Sequence, residues 1–194
     1  MFIKSLLGFR PVGVLVRSYQ LRRSLEIYAR IRKYLNKNDR ILDIGSGTCE
    51  VPALLIQKGF KVVPLDVKDI SLVKGLLPII YDGKKIPYKD NEFDVSLSVY
   101  VLHHIRNADD TLKEAIRVSK SLIIIEDIYY NPIQKYLTFA FDSLINLEFF
   151  GHPHKNKDDI GWRKTFKELG LKLKASDYFE FLGIFSCAAY YLQK

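Results

Sequence analysis

The chain is expected to fold as an α/β domain built on a doubly wound, mostly parallel sheet of seven strands with helices on both faces. Three observations predict this. Between residues 41 and 125, short apolar runs alternate with helical or loop segments of crossover length, the pattern of parallel strands joined across the faces of one sheet. The run Ser121-Leu-Ile-Ile-Ile125 is continuously apolar and suits a central strand covered on both sides. The first strand, through Ile41-Leu-Asp43-Ile44, feeds directly into Gly45-Ser46-Gly47, a turn at the strand end where open α/β sheets bind their ligands.

Taken in order, the elements begin with a helix from Ser18 to Asn36, on which Leu21, Leu25, Tyr28, Ile31 and Leu35 recur at spacings of three and four and mark one face. Arg23, Glu26, Arg30, Lys33 and Lys37 fall opposite, and Lys37-Asn38-Asp39 ends the helix. After the first strand, residues 51–58 read as a helix closed by Gly59, a common C-terminal stop. Strands follow near 61–66, 78–82 and 93–99. Asp109 and Asp110 can cap a helix carrying Leu112, Ala115 and Ile116, which leads into the central strand. Residues 132–150 are apolar on nearly every side, Phe141 among them, so the expected helix is either buried or offers an apolar surface to a ligand. Asp158 or Asp159 caps a helix bearing Trp162, Phe166 and Leu169, stopped by Gly170, and strands near 171–181 and 184–192 complete the sheet.

A chain of 194 residues with 48% hydrophobic content can bury one core. One domain is expected at 41–194, with residues 1–40 forming a basic helical arm packed on it. The two cysteines, Cys49 and Cys187, fit no disulfide framework and no metal-ligand spacing, which agrees with a reducing cytoplasm. The apolar opening segment is broken by Lys4, Arg10 and Arg17, short of the ~20 residues a spanning helix needs. Of the net charge of +8, all sits in the arm: residues 1–40 hold ten Lys or Arg against Glu26 and Asp39, while the remainder is balanced. An anionic partner is therefore expected at the arm. With Phe2, Ile3, Leu6, Leu7 and Phe9 interleaved with Lys4 and Arg10, an anionic membrane surface is one such partner, in peripheral contact. RNA or DNA phosphates are the other.

The turn itself carries the chemistry. Gly45 and Gly47 have no Cβ, so a ligand can lie against the backbone beside the amides of the following helix. A dinucleotide fingerprint requires a third glycine three residues after Gly47, and Glu50 stands there. With its preceding acid, Asp43-Ile-Gly45-Ser46-Gly47 instead resembles motif I of the class I S-adenosylmethionine-dependent methyltransferases, a Rossmann-like family. Val62-Val-Pro-Leu-Asp66 is similar to the family's second strand. Tyr81-Asp82-Gly83, with the run through Asn91-Glu-Phe-Asp94, resembles its third loop. Ser98-Val99-Tyr100-Val101-Leu102-His103-His104 resembles the strand-four exit of the small-molecule branch that includes quinone and sterol methyltransferases. Cys49 stands where the family usually has its third glycine; its small size is expected to preserve the helix packing there, at some cost in room for the cofactor.

The resemblance implies S-adenosylmethionine as cofactor, EC class 2.1.1, with Asp43, Gly45, Ser46 and Gly47 at its methionine end. Asp66, followed by Val67, is implied at the ribose, Asp82 and Gly83 at the adenine, and Ser98, Val99 and Tyr100 along the strand-four side. His103 or His104 is a candidate general base if the nucleophile must lose a proton. Phe141, His152 and His154 fall where the family places its acceptor cap. No metal is expected. A small apolar or aromatic acceptor is the leading reading, since the segment expected to wall the acceptor is rich in Phe, Leu and Ile. Methylation of RNA, DNA or protein through the basic arm is an alternative, and a non-catalytic cofactor-binding module is a third. Neither the acceptor nor the oligomeric state is given by the residues.

Overall fold

The computed structural model describes residues 10–138, 156–181 and 185–194, with the backbone alone for 10–17 and 181. Its strands are β1 (Arg40–Ile44), β2 (Lys61–Asp66), β3 (Ile79–Ile80), β4 (Phe93–Val99), β5 (Ser119–Ile128), β6 (Lys172–Phe181) and β7 (Phe185–Gln193). They form a single seven-stranded sheet in the order β3-β2-β1-β4-β5-β7-β6. The strands from β3 to β5 are parallel, while β7 runs antiparallel to both β5 and β6. The winding reverses between β1 and β4, and this switch point opens a crevice at the strands' carboxyl ends. The expected Rossmann-like architecture is thus observed.

Four helices cover the sheet, α1 (Arg10–Ile31), α2 (Glu50–Gln57), α3 (Ala108–Val118) and α4 (Asp159–Glu168), and residues 132–138 are also helical. Side chains alternate between two cores with the period of two that strands impose. Ile41, Leu97, Ile123 and Ile125 pack against Ile27 and Ile31 of α1 and Leu55 of α2. Leu42, Ile44, Leu122 and Ile124 pack on the other face against Leu112 of α3 and Trp162 and Phe166 of α4. Buried on both faces, β5 has no place for a polar alternation, which is why Leu122–Ile125 is uniformly apolar.

The first helix departs from its expected course. Among the described residues it already runs from Arg10, well before Ser18, and it gives way at Arg32–Tyr34 to a 3₁₀ turn. Its packed face is Ser24, Ile27 and Ile31, while Leu21 and Leu25 are 52% and 44% exposed. Two arginines assigned to solvent instead turn inward, because each finds an aromatic ring. Arg23 stacks 4.6 Å above Tyr100, and Arg30 lies 3.7 Å above Phe179 and 3.0 Å from Asp177. A guanidinium is weakly hydrated and stacks well, so these positions carry charge into the packed face and leave leucines outside it.

The caps sort as follows. Asp158 caps α4, its Oδ1 accepting from the Gly161 amide at 2.7 Å. Asn107, rather than Asp109 or Asp110, precedes α3, and the two acids occupy its first turn, where they oppose the helix dipole favourably. The proposed acceptor-cap residues Phe141, His152 and His154 lie outside the described residues, as does most of the expected helix over 132–150.

Candidate functional site

The glycine turn is stitched to the neighbouring strand before any ligand is considered. The amides of Gly45 and Ser46 donate to the Leu65 carbonyl at 2.8 and 3.1 Å. Ser46 Oγ donates to the Asp43 carbonyl at 2.9 Å and accepts from the Leu65 amide at 2.8 Å. Three residues of the turn have left-handed backbone: Gly45 at φ +74°, Gly47 at φ +52° and Cys49 at φ +62°. The two glycines serve different ends. A Cβ on Gly45 would stand 2.5 Å from Val101 Cγ1, whereas one on Gly47 would meet only open space, with Gly45 O at 4.0 Å. Gly45 therefore lets the turn pack on the strand-four exit, and Gly47 is the one that faces the crevice.

Cys49 shows why a glycine is usual at its position. Its backbone is left-handed, a conformation costing an L-residue about 1–2 kcal/mol, and its side chain is fully buried. Close packing was the expected constraint; the backbone dihedral is the second. Burial pushes the thiol up to about 11, so it stays protonated and unreactive.

Two carboxylates frame the turn. Asp66, at the end of β2, accepts at Oδ2 from the Gly47 amide (2.8 Å) and at Oδ1 from the Val67 and Lys68 amides (2.7 and 3.2 Å). Asp43 is 3% exposed. Burial raises its carboxyl to about 7, opposed by a hydrogen bond with Ser46 and reinforced by the charge of Asp66. A carboxyl in this position is costly to ionise unless a cation is brought to it. On the β2 side of the crevice, Asp82 is exposed and accepts from the Lys84 and Lys85 amides at 2.8 and 3.0 Å, which hold its carboxyl below the usual range. Gly83, at φ +75°, backs onto Val67, whose Cγ1 would lie 3.2 Å from an added Cβ. Asp82–Gly83 and Val67 thus form neighbouring walls.

The strand-four exit is held by a residue that sequence reasoning missed. Glu126, fully buried near the end of β5, accepts at Oε1 from the Val101 and Leu102 amides (3.0 and 2.7 Å), and its Oε2 lies 2.5 Å from His103 Nδ1. The Tyr100 amide donates to the Ile125 carbonyl at 2.8 Å, and Tyr100 takes φ +55°, rare for an aromatic residue and stored strain at a strand end. His103 is accordingly a buried partner of Glu126, and His104, its ring centroid 4.1 Å away, is the more exposed of the two. Ser98 lines, with Ile44, Ser96, Thr111 and Ile124, a small cavity under the strand-four exit. Val99 and Tyr100 are half-buried and pack against the core that the sheet forms with α1 and α2. One signal could have found Glu126: like Asp43 and Asp66, it is an acid at the carboxyl end of an apolar run. Among the described residues, no group of three His, Cys, Asp or Glu gathers as a metal site.

Comparison with known proteins agrees with this geometry. Residues 42–122 match the family model described as a methyltransferase domain. A ubiquinone/menaquinone biosynthesis C-methyltransferase of Neisseria meningitidis is 30% identical over 125 residues, covering 56% of this chain and 50% of the relative. Its counterpart in Pseudomonas putida is 27% identical over 127 residues, covering 56% and 49%. The chain thus spans about half the length of these relatives. Among solved structures, an S-adenosylmethionine-dependent methyltransferase from Methanosarcina mazei superposes with a TM-score of 0.67 at 18% identity, covering 86% of this chain and 97% of that one. Magnesium protoporphyrin IX methyltransferase from Synechocystis, solved with S-adenosylhomocysteine bound, gives 0.63 at 16% identity, covering 90% and 83%. The motif order, the sheet order and these likenesses converge: residues 42–122 match a methyltransferase domain, and the chain has the fold of S-adenosylmethionine-dependent methyltransferases.

Proposed function

We propose that the protein transfers a methyl group from S-adenosylmethionine to a small apolar or aromatic acceptor. The observation that carries this reading is the convergence, at one switch point, of an open Gly47, the Asp66 carboxylate bound to its amide, and a buried Asp43 whose ionisation requires a cation. These groups fit the cofactor: Asp43 suits its ammonium end, Asp66 its ribose hydroxyls, and the Val67, Asp82 and Gly83 walls its base. When bound, S-adenosylmethionine supplies a methyl on a sulfonium, already activated for displacement. The chain's own task is then alignment, which can contribute roughly 7–11 kcal/mol. Glu126 fixes the strand-four exit along which the acceptor approaches, and His103 positions that exit through Glu126. His104 is the histidine available to touch the acceptor. The relatives named for ubiquinone and menaquinone biosynthesis support a planar, lipophilic acceptor.

A pH dependence tests the role of Asp43. Its folded-state value is raised, so its neutral form stabilises the free protein fully below the unfolded value, and that contribution is lost as pH rises through about 7. Cofactor binding has the opposite preference, since an ammonium group favours the carboxylate. Affinity for S-adenosylhomocysteine, measured by calorimetry, is expected to fall about tenfold per pH unit below about 7. Asp43→Asn should flatten that profile.

We further take residues 1–40 as an arm on the 41–194 domain, a division that the burial of Ile27 and Ile31 against the sheet supports. Its outer surface carries exposed Tyr19, Leu21 and Leu25 beside Arg22, which favours peripheral contact with an anionic membrane from the cytoplasmic side. No helix among the described residues is long and apolar enough to cross a bilayer. Sedimentation with anionic vesicles at low salt, and release at high salt or on Leu21→Glu with Leu25→Glu, is the expected outcome. Equal indifference to anionic and neutral vesicles contradicts it, and binding to RNA instead favours a macromolecular acceptor.

A further inference from the structure

The cofactor residues leave a second polar cluster unused, at the same edge of the sheet but one strand further on. Four elements meet there. Asp127 ends β5, and Cys187 faces it across the β5–β7 pairing, donating its thiol to Asp127 Oδ1 at 3.2 Å. The Tyr100 side chain, from the strand-four exit, neighbours Cys187 and Asp127. From α1, the guanidinium of Arg23 lies 4.6 Å above the Tyr100 ring.

Two features distinguish this cluster from packing. First, a cation and a carboxylate share it without pairing. Among the described residues, Arg23 makes no ion pair or hydrogen bond with any carboxylate, and the one side-chain hydrogen bond of Asp127 is from a weak thiol donor. Both side chains keep partial exposure. Second, the aromatic ring under Arg23 belongs to Tyr100, held at φ +55°, a strained placement of the kind that surrounding structure must enforce. Unpaired opposite charges in one cluster with an aromatic ring fit a planar ligand bearing a hydroxyl, which donates to the carboxylate and receives charge stabilisation from the guanidinium.

We propose that Asp127 is a catalytic residue that accepts the proton of an acceptor hydroxyl, and that Arg23 holds the oxyanion so formed. This rests on the methyltransferase reading above. The acceptor O–H bond breaks and its proton passes to the Asp127 carboxylate. The electron pair left on oxygen forms the new bond to methyl as the carbon–sulfur bond breaks. Sulfur keeps that pair and loses its positive charge, and Asp127 returns the proton to water. Burial raises the Asp127 carboxyl to about 6, against the lowering effects of His103, Cys187 and Arg23. It is therefore ionised near neutrality yet more basic than an exposed aspartate. The titratable and charged groups facing it are Arg23 and Tyr19 from α1, Tyr100, Cys187 of β7, and Glu126 and His103.

The probe is 4-nitrophenol, whose neutral and ionised forms differ in absorbance, titrated into the full chain with and without S-adenosylhomocysteine. On the wild type, the bound phenol is expected to titrate under both charges. Asp127→Asn should lower its apparent pKa by about one unit, because the repelling carboxylate is gone. Arg23→Gln should raise it by a similar amount, with Arg23→Lys restoring most of the shift. A merely structural cluster would weaken binding without moving that value in opposite directions. The proposal is overturned if both variants leave the bound phenol's pKa in place, or if the wild type binds S-adenosylhomocysteine but no 4-nitrophenol. Failure to bind S-adenosylhomocysteine, with the opposed shifts still present, would overturn the methyltransferase reading and leave a hydroxyl-binding site.

Discussion

Glu126→Ala is expected to destabilise the protein by about 3–5 kcal/mol, the cost of removing one partner from a buried, hydrogen-bonded polar cluster. Three groups lose their acceptor at once, the Val101 and Leu102 amides and His103 Nδ1, and each stranded donor costs about 1–3 kcal/mol. The effect should extend beyond stability. Val101 is clamped to Glu126 through its amide and faces Gly45 through its side chain, so the strand-four exit and the glycine turn share one contact. Urea unfolding should show the loss, and the surviving folded fraction should bind S-adenosylhomocysteine more weakly. Glu126→Gln, which keeps one acceptor oxygen, should lose less. Wild-type stability in the alanine variant would show that the clamp is not needed.

Gly45→Val should cost about 2–5 kcal/mol, combining the left-handed dihedral with overpacking. The added branch would collide with Val101, whose Cγ atoms lie 2.5 and 2.6 Å from the Cβ position. The loss arises from the fold rather than from a blocked ligand, and that makes it separable. Gly45→Ala combined with Val101→Ala should recover part of the stability that Gly45→Ala loses, a coupling readable as a double-mutant cycle. Gly47 provides the contrast. With nothing but open space at its Cβ position, Gly47→Ala should impair cofactor binding more than stability.

The strands could be read from the residues because burial on both faces leaves an unmistakable apolar run, and β2, β4 and β5 lie close to where the pattern put them. The acids around the glycine turn were legible for a related reason: Asp43, Asp66 and Asp82 stand at strand ends, and their order along the chain carries the family resemblance. Helix α1 was misread because apolar periodicity counts leucines and ignores what an arginine can stack on. Arg23 and Arg30 occupy the inner face only because Tyr100 and Phe179, remote in sequence, supply the rings. Asp127 and Cys187 were invisible as a pair since their meeting depends on the antiparallel insertion of β7 beside β5, a register that no local pattern announces. Cys49 was seen as a lost glycine, but its left-handed backbone is a fact of the folded turn.

The central claim is that the crevice at the switch point holds S-adenosylmethionine, with Asp66 on the ribose. Isothermal calorimetry with S-adenosylhomocysteine, on the wild type and on Asp66→Ala, tests it most directly. The predicted result is saturable binding by the wild type and a loss of about 1.5–3 kcal/mol in the variant, the range for hydrogen bonds to a charged group, with both proteins folded. Absence of heat from a folded wild type, or undiminished affinity in Asp66→Ala, would contradict it.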